Sequence, residues 1–297
     1  MSAFGRVLTA MVSPMTEDRA LDLDGAQRLA SALIDNGCDG LVVCGTTGES
    51  PTLTHAETLD IVRVVVEAVG DRATVLAGTG KNDTAGSVEL SREVQALGVD
   101  GVLVVTPYYN RPSQRGMVAH FGAIASAVDI PVMLYNIPSR TGAEILPPTV
   151  AQIVENHANV VAIKDSVNDF VKSGWIINNT PDSFALYSGD DALALPLLSI
   201  GGAGVVSTAG NLVARDMAAM MEQFATDPAK AREIHLRLLP LFAGLLSLDV
   251  NPVPLKAAMN LAGLPAGPVR APLADADDET VTHLRELLRS VGVLLHA

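Results

Sequence analysis

An α/β fold, a (β/α)8 barrel with a C-terminal helical extension, is what this sequence predicts, and three observations predict it. Short apolar runs recur eight times, each too short for a helix and most rich in β-branched residues. The runs are continuous rather than alternating, as in strands buried on both faces of a parallel sheet. Segments with helical periodicity stand between them, so strand and helix alternate in the order that closes a TIM barrel.

The strands are expected in "RVLTAMV" (6–12), "GLVVCG" (40–45), "TVLAG" (74–78), "GVLVVTP" (101–107), "PVMLYN" (131–136), "VVAIK" (160–164), "FALYSG" (184–189) and "GVVSTAG" (204–210). The first helix is expected over 23–37, where Ala26, Leu29, Ala30, Leu33 and Ile34 share a face and Gly37 suits the C′ position. The second, over 54–70, opens with Thr54 and has Glu57 three residues on, a capping-box pattern. The third, over 83–98, again ends at a glycine. After about residue 225 the strand signal stops and helical patterns take over, interrupted by the Pro-rich loop "LPAGPVRAPLADA". The expected division is a catalytic barrel over 1–225 and a C-terminal helical domain over 226–297. A doubly wound open sheet competes with the barrel. No Gly-rich dinucleotide fingerprint follows the first strand, and "LAGTGKND" does not match G-x-G-x-x-G.

Composition narrows the function classes. Of 297 residues, 48% are hydrophobic but only 4% aromatic, so the core is expected to be aliphatic and each tyrosine informative. A formal net charge of −13 argues against nucleic-acid binding, which needs Lys and Arg against phosphate. Cys38 and Cys44 show neither a disulfide framework nor metal-ligand spacing, and no metal is expected. The N-terminal stretch lacks the apolar core of a signal peptide, and no segment has the length of a membrane span. A soluble, cytoplasmic protein is the expectation.

In such barrels the chemistry sits at the C-terminal ends of the strands. Read off those ends, the sequence offers "GTTGES" (45–50), "TPYYNRPS" (106–113), "YNIPSRTG" (135–142), Lys164 and "SGDD" (188–191). Each alone is weak. Gly-Thr-Thr-Gly is more often a turn than a site, and Tyr108 and Tyr109 alone could be packing residues. Their convergence on one rim is the informative feature.

Lys164 ends a buried run, where a lysine usually packs its stem and sends its head to water. Held instead among apolar neighbours, its charged form loses hydration, which favours the neutral amine. A neutral amine attacks a ketone to form a Schiff base, and the protonated imine then serves as an electron sink. Such chemistry needs a proton shuttle. Tyr135 is placed for it, because the fifth strand adjoins the sixth. Thr46 and Thr47, with the backbone N–H groups of their turn, suit a substrate carboxylate. Arg140 offers a planar fork for a second one.

With these residues in view, the chain resembles the dihydrodipicolinate synthase family, within the class I pyruvate-aldolase superfamily. The resemblance runs from "AMVSPM" through "GTTGES", "GTGKND", "TPYYNRPS", "YNIPSRTG" and "IKD" to "SGDDAL" and "NPVPLK". It implies a cofactor-free condensation of pyruvate with aspartate semialdehyde to 4-hydroxy-tetrahydrodipicolinate, in lysine and diaminopimelate biosynthesis. Lys164 would carry the Schiff base, and Tyr135 would shuttle protons in a relay with Thr46 and Tyr109. Thr47 and Val206 would line the pyruvate site, Gly189 would be a substrate-binding residue, and Arg140 would bind the semialdehyde carboxylate. The tyrosine matching Tyr109 reaches a neighbouring subunit in this family, which implies at least a homodimer and commonly a homotetramer.

Two departures from the family pattern stand out. After the lysine the chain reads "DSVND", where a small residue and then Gly-Asp or Gly-Asn is more usual, so Ser166 and Val167 are expected to reshape the pocket floor. Of the family's lysine-inhibitor site, Ser50, His55 and Asn82 match, but Gly86 replaces a glutamate and Thr58 a residue that is histidine in some members. Asp83 is expected on a different helix face from position 86, unable to substitute. A 2-keto-3-deoxy acid aldolase is the alternative enzyme, against which Arg140 argues. A non-catalytic keto-acid-binding paralogue would not need the complete relay.

Overall fold

In a computed structural model that describes residues 4–296, eight parallel strands close into a barrel in sequential order. They are β1 (Val7–Ala10), β2 (Gly40–Val43), β3 (Thr74–Gly78), β4 (Gly101–Val105), β5 (Val132–Asn136), β6 (Val160–Asp165), β7 (Ala185–Ser188) and β8 (Gly204–Ser207). Each falls within a run expected to be a strand or, at Asp165, one residue beyond it. The flanking residues of the longer runs bend away as loops at the rim. β8 pairs with β1 through Leu8 and Val206, so no edge is left open.

Among the described residues, nine α-helices accompany the barrel: α1 (Leu23–Asp35), α2 (His55–Val69), α3 (Thr84–Ala96), α4 (Gln114–Ala125), the short α5 (Pro138–Thr141), α6 (Pro147–Asn156), α7 (Phe170–Asn178), α8 (Ala194–Ser199) and α9 (Gly210–Thr226). The expected caps are present. Thr54 accepts from the Glu57 N–H while the Glu57 side chain accepts from the Thr54 N–H. Gly37 and Gly98, both at positive φ, follow α1 and α3.

Strand alternation divides the interior in two. Leu8, Val42, Leu76, Leu103, Met133, Ala162, Tyr187 and Val206 fill the barrel lumen. The intervening strand residues, such as Val43, Val75, Val104, Leu134 and Ile163, face the helical ring and join a larger aliphatic layer. Period two therefore sends Tyr135 into the lumen with Met133, and Lys164 with Ala162, while Asp165 faces the helices.

Beyond the barrel, α10 (Pro228–Ser247) lies on α9, and α11 (Val253–Leu261) packs with α12 (Asp278–Ser290). The segment between α10 and α11 returns to the barrel, as Asn251 shows below. No helix among the described residues is long and apolar enough to cross a membrane.

Candidate active site

Lys164 and Tyr135 stand opposite each other in the β5–β6 register. The Lys164 Nζ lies 4.3 Å from the centre of the Tyr135 ring, and the two residues are only 5% and 4% exposed. A cation over a ring face is held electrostatically, so each side chain orients the other. Burial alone does not single out this lysine. Lys256 is equally buried, but its ammonium meets Glu49 Oε1 at 2.7 Å. Among the described residues no carboxylate pairs with Lys164.

Asp165, the next residue, is turned outward and buried. Burial pushes its carboxyl up to about 6, opposed by a hydrogen bond from the Ser173 hydroxyl at 3.1 Å. Its backbone carbonyl accepts from Gly189 N–H at 2.8 Å, and Ser166 N–H donates to Asn136 O at the same distance. Strands β5, β6 and β7 are thus tied together one residue above the lysine.

The turn after β2 brings Thr46 and Thr47 to the same rim. Thr46 lines a cavity of about 390 Å³ together with Tyr108, Ile137 and Arg140, and a narrow void joins Thr46 to Tyr135. Asn251, from the extension, ties two of these parts together. Its side-chain amide donates to Thr47 Oγ1 at 3.0 Å, and its carbonyl accepts from Arg140 Nη2 at 3.1 Å.

Two buried carboxylates support the rim loops. Glu49, at φ 54°, accepts from Lys256 Nζ and, at 2.8 Å, from the Arg270 N–H. A left-handed glutamate is costly unless its surroundings hold it, and this pair does. Arg270 also forks onto Glu57 of the α2 capping box. Asp191 accepts from the Ser207 hydroxyl and from the N–H groups of Thr208 and Ala209, immediately after Val206. Burial raises its carboxyl to about 6.

Most residues expected at the site converge there. Lys164, Tyr135, Thr46, Thr47, Arg140, Gly189 and the fully buried Val206 all lie at the C-terminal rim or in the lumen beneath it. Tyr109 does not join them within one chain, being 90% exposed at φ 71°. Ser50, His55 and Thr58 line the cavity, and His55 Nε2 lies 2.7 Å from Glu93 Oε2. Asn82 offers its carbonyl to the Asn110 side chain instead. The expected placement of Asp83 needs correction: it is the N-cap of α3 rather than a residue on another face, and its carboxylate accepts the Gly86 N–H at 2.5 Å. A loop residue at a cap is not bound by helical periodicity.

Sequence reasoning assigned no role to Asn251, Glu49, Lys256 or Asp191. Asn251 and Lys256 stand within the quoted "NPVPLK", and a lysine amid apolar helical residues was itself a signal of a buried pair.

The chain matches the family model of the dihydrodipicolinate synthetase family over residues 3–291. It is 51% identical to the 4-hydroxy-tetrahydrodipicolinate synthase of Moorella thermoacetica, over 98% of this chain and 99% of that one. It is 50% identical to 4-hydroxy-tetrahydrodipicolinate synthase 2 of Streptomyces coelicolor, over 98% of this chain and 97% of that one. Among solved structures, the lysine-bound dihydrodipicolinate synthase of Cyanidioschyzon merolae superposes with a TM-score of 0.97 at 43% identity, covering 99% of this chain and all of the other.

Proposed function

The chain belongs to the dihydrodipicolinate synthetase family, and we propose that it joins pyruvate to aspartate semialdehyde to make 4-hydroxy-tetrahydrodipicolinate. It is a lyase of lysine and diaminopimelate biosynthesis. The observation that carries the residue assignment is the buried pair of Lys164 and Tyr135 at the barrel rim, with the ammonium 4.3 Å from the ring centre and no carboxylate to neutralise it among the described residues.

In this reading the Lys164 amine adds to the pyruvate ketone, water leaves, and an iminium remains. Tyr135, having given its proton to the leaving water, takes one back from the methyl carbon, and the electrons of the C–H bond form an enamine. That carbon attacks the aldehyde, whose π electrons pass to oxygen and whose oxygen takes a proton from Tyr135. The semialdehyde's own amine then attacks the iminium carbon, closes the ring and frees Lys164. Thr46 extends the proton path from Tyr135, and Tyr109 completes it from a neighbouring subunit. Thr47 and Val206 bound the pyruvate pocket, and Gly189 contacts substrate from the β7 end. Arg140, already oriented by Asn251, takes the semialdehyde carboxylate as a fork.

The same reading makes the working form a homodimer or a tetramer of dimers, which the outward Tyr109 supports. The chain acts in the cytoplasm, with no nucleic-acid partner. It divides functionally into a barrel, 1–225, and a helical extension, 226–297. Feedback by lysine is weak, because Gly86 offers the inhibitor's ammonium no side chain and the Asp83 carboxylate beside it is already engaged as the cap of α3.

Borohydride reduction in the presence of pyruvate, followed by peptide mapping, tests the central assignment. The added mass belongs on the peptide carrying Lys164 and vanishes in Lys164→Ala. A label on Lys256, Lys81 or Lys172 instead would refute it.

A further inference from the structure

Ser166 carries a polar group that the reaction as described does not use. Its Oγ is buried and has no protein hydrogen-bond partner among the described residues. A serine just past a strand usually turns its hydroxyl onto a nearby backbone group, and buried hydroxyls are seldom left unbonded. The backbone around this one is already committed. Ser166 N–H donates to Asn136 O, and the following amide, that of Val167, donates to Asp165 Oδ1. The side chain is therefore held in place by its main chain while its own hydroxyl stays available.

The direction of that hydroxyl is fixed by Gly189. A Cβ at Gly189 would lie 1.9 Å from Ser166 Oγ and 3.0 Å from Lys164 Cε. The hydroxyl and the lysine stem thus converge beside Gly189 between β6 and β7, and only a glycine there leaves room for the hydroxyl. Thr46 and Thr47 come from β2, away from this side of the lysine. With the pyruvate carboxylate assigned to the threonine turn, the β6–β7 side is left for the other reactant.

We propose that the Ser166 hydroxyl is a further substrate-contacting group, donating a hydrogen bond to the aldehyde oxygen as that oxygen becomes the new hydroxyl of the product. The proposal rests on the synthase reading. In the condensation the enamine electrons form the C–C bond and the carbonyl electrons move onto oxygen. A fixed donor there stabilises the developing charge without reorganising. Ser166 remains a hydroxyl throughout, and the proton that completes the alcohol comes from Tyr135. An alanine at this position would offer the oxygen nothing, so the substitution isolates the hydroxyl.

The test compares the wild type with Ser166→Ala in two assays: borohydride trapping of pyruvate on Lys164, and steady-state condensation. Trapping is expected to be unchanged, with pyruvate KM unchanged. The kcat for condensation is expected to fall by about tenfold to a hundredfold, the range for losing a hydrogen bond to a charged oxygen. Unchanged kcat and aldehyde KM would overturn the proposal. So would an equal loss in trapping, which would make Ser166 a structural support of the lysine. A wild type that traps pyruvate but ignores aspartate semialdehyde would count against the synthase reading alone. The same comparison would then be made with glyceraldehyde, where an unaffected Ser166→Ala again overturns the proposal.

Discussion

Arg140 shows how one side chain can separate two substrates. One Nη2 donor is spent on the Asn251 carbonyl, which fixes the guanidinium plane at the cavity wall. The rest of the fork remains for a carboxylate. Arg140→Ala is expected to lower kcat/KM for aspartate semialdehyde by about tenfold to a hundredfold, from the ~1.5–3 kcal/mol of a hydrogen bond to a charged group. Pyruvate KM should hold steady. Arg140→Lys is not expected to rescue, because a point charge lacks the fork and cannot also keep the Asn251 contact. Equal losses for both substrates would mean that Arg140 shapes the whole site.

Between elements, the C-terminal extension grips the turn that carries the threonines. Lys256 of α11 reaches Glu49 in a fully buried pair, and both side chains are satisfied further by the Pro268 carbonyl and the Arg270 N–H. Breaking such a pair strands a charge, whereas replacing both partners is far milder. Lys256→Met is expected to lose about 3–5 kcal/mol of unfolding free energy, and Glu49→Gln with Lys256→Met to recover most of it. Denaturant melts of the variants decide; a single substitution costing under about 1 kcal/mol, the scale of an exposed pair, would show that the buried pair contributes little.

The start of α3 bears on regulation. Titrating L-lysine into the condensation assay should give no half-inhibition below millimolar concentration, because an unpaired buried ammonium is costly. Sub-millimolar inhibition would point to another carboxylate, and Glu93 beside His55 is then the first to mutate. Gly86→Glu alone is a poor gain-of-inhibition test. Its Cβ would sit 2.9 Å from the Asp83 carboxylate that caps the helix. Pairing it with Asp83→Ser keeps a cap and removes the like charge.

At the scale of the molecule, Tyr109 is a site residue without a site in its own barrel. A tyrosine 90% exposed at positive φ is hard to account for by packing within one chain. Mixing inactive Lys164→Ala with inactive Tyr109→Phe, then exchanging subunits, should restore part of the activity. Some dimers then hold one site with both native residues. No recovery after verified exchange would show that Tyr109 serves the barrel it belongs to.

The architecture was legible because burial on both faces writes each parallel strand as an apolar run, and each run ends where the rim begins. Lys164 and Tyr135 were legible for the same reason: period two and neighbouring strands place them together before any coordinates are known. What the sequence by itself determined was therefore the barrel, its chemical rim and the family. The Asn251 tie, the Glu49–Lys256 pair and the Asp191 support were decided only by the tertiary structure. Those partners lie 204, 207 and 16 residues apart, and contacts across such separations leave no periodic trace in either segment. Asp83 was misplaced for a local version of that reason, since a cap's side chain follows the unpaired N–H groups of the first turn rather than the helix's own repeat. The Ser166 hydroxyl is the same kind of case: a serine in the sequence says nothing of its partners, and only folding beside Gly189 and Lys164 leaves its buried oxygen without a protein partner among the described residues.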